Sequence, residues 1–181
     1  MDQDRKLILY IAMSLDGYIS KPHDDLSFLN RVHKEGEDYG YGEFISGVDT
    51  VILGRRTYDW VTAQVDFPHA DKNAYVITRH PRPAIGNTVF YTGDLGELVM
   101  KLKKEKGKNI FCDGGAQIAQ ELIKKDLIDQ YILSVIPVLL GAGIRLFCDG
   151  SPEQELQLIS AKNYDTGLVQ LHYRRPEKNH S

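Results

Sequence analysis

Thr50-Val51-Ile52-Leu53-Gly54-Arg55-Arg56-Thr57 and Asn109-Ile110-Phe111-Cys112-Asp113-Gly114-Gly115-Ala116 share one pattern. Each is a short apolar run of strand character that breaks at glycine and opens a helix. A strand-to-helix turn leaves the first backbone N–H groups of the helix without partners. Two such turns side by side aim those donors at one place, and such a place attracts phosphate. Arg55 and Arg56 add charge-assisted donors at one helix start. The simplest physical reading is a single pyrophosphate held between two helix starts, and therefore a dinucleotide.

Working outward, Lys6 to Met13 reads as a buried strand, followed by the turn Asp16-Gly17. Tyr18-Ile19-Ser20 is extended and stops at Lys21-Pro22. Asp24 or Asp25 can cap a short helix carrying Leu26, Phe28, Leu29 and Val32, and a second helix is expected from Tyr39 to about Ile45. Thr50 to Leu53 is apolar on both faces and reads as a central strand. Thr57 to Val61 begins a helix; Ala74 to Thr78 and Thr88 to Tyr91 are strands. Leu95, Leu98, Val99 and Leu102 form the apolar stripe of a helix that Gly107 ends. Asn109 to Cys112 is a strand, Ala116 to Lys124 a helix, and Asp129 to Val135 a strand. Glu155 to Ile159 and Leu168 to Tyr173 then alternate around Asp165-Thr166-Gly167, as an antiparallel hairpin does. The expected architecture is α/β: one domain over residues 1–175, a mostly parallel sheet with a C-terminal antiparallel hairpin, and a frayed tail over 176–181.

The 181 residues are 42% hydrophobic, enough for one sizeable core. Net charge is −3 and no basic face stands out, so nucleic acid is not an expected partner. The apolar run Tyr131 to Leu140 contains Ser134 and Pro137 and is too short to cross a bilayer, so no membrane role is expected. The charged start Met1-Asp2-Gln3-Asp4-Arg5-Lys6 lacks the layout of a signal peptide, which favours the cytoplasm. Cys112 and Cys148 read as buried free thiols in a reducing compartment. No histidine pairs with a cysteine or another histidine at ligand spacing, so no metal is expected. Gly40-Tyr41-Gly42 and Gly141-Ala142-Gly143 lack the third glycine of the usual dinucleotide fingerprint; Ile45 and Leu146 stand there.

Arg55 and Arg56 have an ordinary alternative as surface residues of a helix. Their place at a helix start, next to a strand that ends in Thr78-Arg79, favours a ligand instead, because strand C-terminal ends face the crevice of an open α/β sheet. Arg55 and Arg79 can then converge on one extra phosphate, that of a 2′-phosphorylated cofactor. Charge-assisted bonds are worth about 1.5–3 kcal/mol each, so two favour that cofactor by roughly several hundredfold. Gly114-Gly115 reads either as a tight turn alone or as a place where backbone must approach a ligand closely.

The order Ile11-Ala12-Met13-Ser14-Leu15-Asp16-Gly17-Tyr18-Ile19, Gly54-Arg55-Arg56-Thr57-Tyr58, Val76-Ile77-Thr78-Arg79, Asp113-Gly114-Gly115, with Pro137 to Phe147, resembles the dihydrofolate reductase-like fold. It is most similar to the reductase domain of riboflavin biosynthesis, the RibD C-terminal domain family, and its stand-alone bacterial members. The resemblance implies a three-layer sandwich and an NADPH-dependent reductase. It places Ala12, Asp16, Gly17 and Ile19 on the nicotinamide side, Gly54, Arg55, Arg56 and Thr57 on phosphates, Thr78 and Arg79 on the adenosine phosphate, and Gly114, Gly115, Ala116 and Gln117 around the pyrophosphate. Asp25 is its proton donor or orienting group, with a helix cap as the alternative role, and Phe28 and Leu139 line the substrate pocket.

The chain departs from folate reductases at Ile118, where they carry a tyrosine, and in having no clear arginine before Ala74 for a folate tail. The stand-alone members show Asp-Trp where this chain has Ser27-Phe28. The expected substrate is a small pterin-, pyrimidine- or flavin-precursor-like heterocycle; the alternative is a non-catalytic NADP(H)- or nucleotide-binding protein. Val138-Leu139-Leu140 and the edge hairpin suggest a homodimer.

Overall fold

The computed structural model describes residues 5–176. Within it run β1 (Leu7–Ser14), β2 (Tyr18–Ser20), α1 (Tyr41–Ser46), β3 (Val48–Gly54), α2 (Arg55–Thr62), β4 (Asn73–Ile77), β5 (Thr88–Tyr91), α3 (Leu95–Lys104), β6 (Asn109–Gly114), α4 (Ala116–Lys124), β7 (Gln130–Ile136), β8 (Ile144–Arg145), β9 (Gln157–Asn163) and β10 (Val169–Arg174). Most of the tail expected from residue 176, and the start Met1 to Asp4, lie outside the described residues.

Among the described residues, eight strands form one sheet in the order β5-β4-β3-β6-β1-β7-β10-β9. The six from β5 to β7 pair in parallel, and β10 pairs antiparallel with β7 and with β9. The sheet is that of an α/β fold, mostly parallel with a C-terminal antiparallel hairpin, as the sequence pattern implies. Period-2 alternation explains how one strand serves two layers. Leu7 and Leu9 of β1 face a core closed by α3 and α4, with Val99, Leu102, Ala119 and Leu122 fully or almost fully buried. The opposite face meets α1 and α2 through Val51, Leu53, Tyr58 and Phe111. Burial on both faces is why Val51-Ile52-Leu53 carries no polar alternation.

Helix ends follow local chemistry. Asp94 caps α3 by accepting the Glu97 N–H at 2.9 Å, and Lys101, Lys103 and Lys104 crowd its C-terminal turn, where the dipole favours cations. The helix stops at Lys104, before Gly107. At the N-terminal edge of the sheet Arg5, 5% exposed, ties four segments together: it donates to Leu102 O, Lys108 O at 2.7 Å, Thr50 Oγ1 at 2.7 Å and the Asp49 carboxylate.

Three features depart from the sequence reading. The helix expected from Asp24 or Asp25 is two 3-10 segments, Pro22–Asp24 and Ser27–Val32, because His23 and Asp24 adopt positive φ and Asp25 is extended. β8, unforeseen, pairs with β2 over two residues. Cys148 is only partly buried, whereas Cys112 is fully buried and its thiol is pushed up to about 12, mainly by desolvation.

Candidate functional site

β3 and β6 are neighbours, so the two glycine-marked turns emerge together. The register advances from Ile52↔Cys112 to Leu53↔Gly114, which makes Asp113 an extra residue on β6, and the bulge re-aims its side chain. The helix starts clasp: the Gly115 N–H donates to Thr57 Oγ1 at 3.1 Å, and a Cβ on Gly115 would stand 3.0 Å from that oxygen. A Cβ on Gly54 would meet Ile118 at 3.3 Å. Gly114 has φ +91, and a Cβ there would meet only Ile11 Cδ1, at 4.0 Å, so the space beside its backbone is open. Neither α2 nor α4 carries a side-chain cap, which leaves their first N–H groups without a capping side chain. Ala116 and Gln117 form the first turn of α4.

The arginines gather at the α2 side. Arg55 Nη1 lies 2.8 Å from Asp59, and Arg56 Nη2 lies 2.6 Å from Asp24. β4 runs beside β3 with Gly54 opposite Ile77, so Arg55 follows one strand end and Thr78 and Arg79 follow the neighbouring one. Thr78 is buried and its hydroxyl accepts the His80 N–H at 3.1 Å; Arg79 is exposed.

At the far end of the crevice Asp16 ties two loops. It accepts from Ser14 Oγ at 2.6 Å, the Leu140 N–H at 3.0 Å and the Gly141 N–H at 2.8 Å, bonds that hold its carboxyl down to about 2. Asp16 therefore fixes the backbone at Leu140 and Gly141, with Gly17 turning the chain at φ +85 and Ile19 packed on the α3–α4 core. Its folded-state pKa lies below the unfolded value, so its stabilisation is present above about pH 4 and is lost as pH falls through about 2. Amide exchange at Leu140 and Gly141 is expected to accelerate over that window, and to be fast already at pH 6 in Asp16→Ala. Unchanged exchange in the variant would contradict the tether.

A cleft of about 380 Å³ opens on the α1 face of the sheet, lined by Tyr10 and Ala12 of β1, Ser134 and Ile136 of β7, and Tyr39 and Tyr41. Its floor is a hydrogen-bonded set: Gln170 Nε2 lies within 3.1–3.2 Å of Tyr10 OH, Ser134 Oγ and Tyr39 O, and Tyr10 OH donates to Tyr39 O at 3.1 Å. Burial raises the Tyr10 phenol, and burial together with the Asp113 charge pushes Tyr41 to about 12. Both phenols therefore keep their protons at physiological pH, and that of Tyr10 donates to Tyr39 O.

The sequence-derived substrate residues fare unevenly. Ala12, assigned to the nicotinamide side and not to the substrate, also lines the cleft. Phe28 is 1% exposed, packed with Val32, Ile136 and Leu168 in the core beneath it, because its 3-10 segment turns the ring inward. Leu139 is 70% exposed and outside the cleft lining. Asp25 also lies outside the lining; it accepts the Ser27 N–H at 2.7 Å and sits 3.8 Å from Lys21. The Ser27 hydrogen bonds hold its carboxyl low, so at neutral pH it has no proton to give.

Two arrangements escaped the sequence. His69, 4% exposed, places Nε2 3.3 Å from Asp113 while its Nδ1 has no partner among the described residues. Asp59 holds Arg55 and Arg82 together. His69 with Asp113 and Arg82 with Asp59 unite residues from separate segments and left no local signal in the sequence.

The fold and the paired helix starts define the dihydrofolate reductase-like class. The dihydrofolate reductase of Enterococcus faecalis complexed with NADP(H) superposes with a TM-score of 0.62 at 17% identity, over 95% of this chain and 97% of that one. Residues 5–170 match the RibD C-terminal domain, and the chain belongs to that reductase-like family. A Shewanella sp. PV-4 protein provisionally assigned to riboflavin biosynthesis has a TM-score of 0.84 at 27% identity, over 94% of this chain and 99% of its own. The Bacillus subtilis protein YwjB is 42% identical over 174 residues, 95% of this chain and 99% of its own.

Proposed function

We propose that the protein is an NADPH-dependent reductase that delivers a hydride to a small pterin-, pyrimidine- or flavin-precursor-like heterocycle seated in the Tyr10–Tyr41 cleft. The observation that carries the reading is the clasp of Gly115 on Thr57, which sets two uncapped helix starts side by side. In this reading Gly54 to Thr57 and Gly114 to Gln117 bind the pyrophosphate. Arg55, Thr78 and Arg79 take the adenosine phosphate. Ala12, Asp16, Gly17 and Ile19 border the nicotinamide. NADPH supplies the hydride when bound, and the chain positions donor and acceptor. Tyr10, Tyr41 and Ser134 offer neutral hydrogen-bonding groups to a planar polar ring, and Asp25 serves as an ionised orienting or capping carboxylate.

One observation favours a second reading, a non-catalytic NADP(H)-binding protein. The carboxylates beside the cleft, Glu37 and Asp38, spend their oxygens on the N–H groups of Tyr39, Gly40 and Gly42 rather than on the cleft interior. Steady NADPH oxidation with any member of a pterin, pyrimidine and flavin-precursor panel supports the reductase; binding without turnover supports the second reading.

The exposed Leu139, Leu158 and Ile159 support a homodimer. NADPH titration by nicotinamide fluorescence and thermal unfolding tests the binding itself. Cofactor at 100 times its Kd is expected to stabilise the fold by about 2.7 kcal/mol, in a sample that sediments as a dimer. Absence of any response at millimolar NADPH would overturn the reading.

A further inference from the structure

Asp59 holds two arginines at once. Its carboxylate accepts Arg55 Nη1 at 2.8 Å and takes Arg82 through both terminal nitrogens, at 2.7 and 3.0 Å. Arg55 and Arg82 meet on the same oxygen, Oδ2. The i,i+4 spacing puts Asp59 one turn along α2 from Arg55. Arg82 arrives from the irregular segment after β4, and its guanidinium lies 5.4 Å from the centroid of the Phe90 ring. The same segment begins with the exposed Arg79, which follows the end of β4 as Arg55 follows the end of the paired β3.

Arg55 and Arg56 of the first turn of α2, Arg82 and Arg79 then stand with two carboxylates, Asp59 and Asp24, for a formal charge of four minus two, or +2. A phosphomonoester carries about −1.5 to −2 near neutral pH. The bond to Asp59 occupies one terminal nitrogen of Arg55 and leaves that side chain 39% exposed, with donors in reserve.

We propose that Arg82 is a further determinant of the choice between phosphorylated and unphosphorylated dinucleotide, and that Asp59 is the positioning residue that aims Arg82 and Arg55 at a phosphomonoester. The inference rests on the dinucleotide reading above and adds two residues to it. The role of Asp59 has a distinctive sign. A carboxylate that merely neighbours a phosphate repels it, and its removal tightens binding. A carboxylate that fixes two guanidinium forks does the opposite, because their directions are lost with it.

The test is the Kd of NADPH and of NADH, by nicotinamide fluorescence, for the full chain and for Arg82→Gln and Asp59→Asn, with thermal unfolding as the control for folding. The native chain is expected to prefer NADPH. Arg82→Gln is expected to weaken NADPH about tenfold, the worth of one charge-assisted bond, and to leave NADH within about twofold. Asp59→Asn is expected to weaken NADPH in the same selective way. Arg82→Lys, which keeps the charge without the fork, is expected to recover only part of the loss.

If Asp59→Asn tightens NADPH, or if Arg82→Gln moves both cofactors equally or neither, the proposal is overturned while the dinucleotide site stands. Equal native affinity for the two cofactors also overturns it. If the native chain binds neither cofactor, the functional reading falls and takes this inference with it.

Discussion

Gly115→Val is expected to cut NADPH affinity by at least about a hundredfold, the worth of two charge-assisted bonds, while the protein still folds. The position has no room: a Cβ would stand 3.0 Å from Thr57 Oγ1, and the residue's own N–H already donates to that oxygen at 3.1 Å. A branched side chain drives Thr57 aside or spreads α2 from α4. Either movement breaks the convergence of the uncapped N–H groups, and anion binding at helix starts depends on that convergence. The loss of stability is limited to about 1–3 kcal/mol, the usual consequence of overpacking, because the cores under α3 and α4 lie deeper in the molecule. Fluorescence titration beside a thermal melt separates the two effects. Native NADPH affinity in a folded Gly115→Val protein would show that the clasp has nothing to do with the cofactor.

The second large effect concerns the opposite end of the sheet. Arg5→Met is expected to cost about 3–5 kcal/mol of folding stability, read as a lower urea midpoint. Arg5 is buried and satisfies Leu102 O, Lys108 O, Thr50 Oγ1 and Asp49. Removing it strands these acceptors where water replaces them poorly, and Asp49 keeps a charge without its close partner. A total stability of about 5–15 kcal/mol makes that loss a large share of the whole. Cofactor affinity in the fraction that remains folded is expected to stay native, since Arg5 lies at the N-terminal edge of the strands and the crevice at their C-terminal ends. A loss below about 1 kcal/mol, typical of an exposed ion pair, would contradict this role.

Residues whose neighbours in sequence are also their neighbours in space were the readable ones. The boundary at Gly115 and the helix Ala116–Lys124 follow from a β-run, two glycines and an inward stripe of Ile118, Leu122 and Ile123, and the structure has that helix over those residues. The alternation around Asp165-Thr166-Gly167 likewise marks the β9–β10 hairpin, with β9 beginning at Gln157 rather than Glu155. The segment from Pro22 to Val32 misled because Phe28 and Val32 are four apart, as in a helix, while the positive φ of His23 and Asp24 breaks the chain before a helix can grow.

Pairings set by tertiary contact left no trace in the sequence: β2 with β8, His69 with Asp113, Asp59 with Arg82. Asp25 shows the limit from the other side. The resemblance of Asp25-Leu26-Ser27-Phe28 to folate reductases suggested a proton donor or orienting group, with a cap as the alternative; the local backbone places its carboxylate on the Ser27 N–H, outside the cleft lining.

The central claim is that one diphosphate sits between the two helix starts. Amide chemical-shift mapping of the ¹⁵N-labelled protein during NADPH titration tests it most directly. Arg55, Arg56 and Thr57 at the start of α2 and Gly115, Ala116 and Gln117 at the start of α4 are expected to shift together, along one saturation curve. NADPH that saturates the protein while moving only one of these turns, or neither, would contradict it.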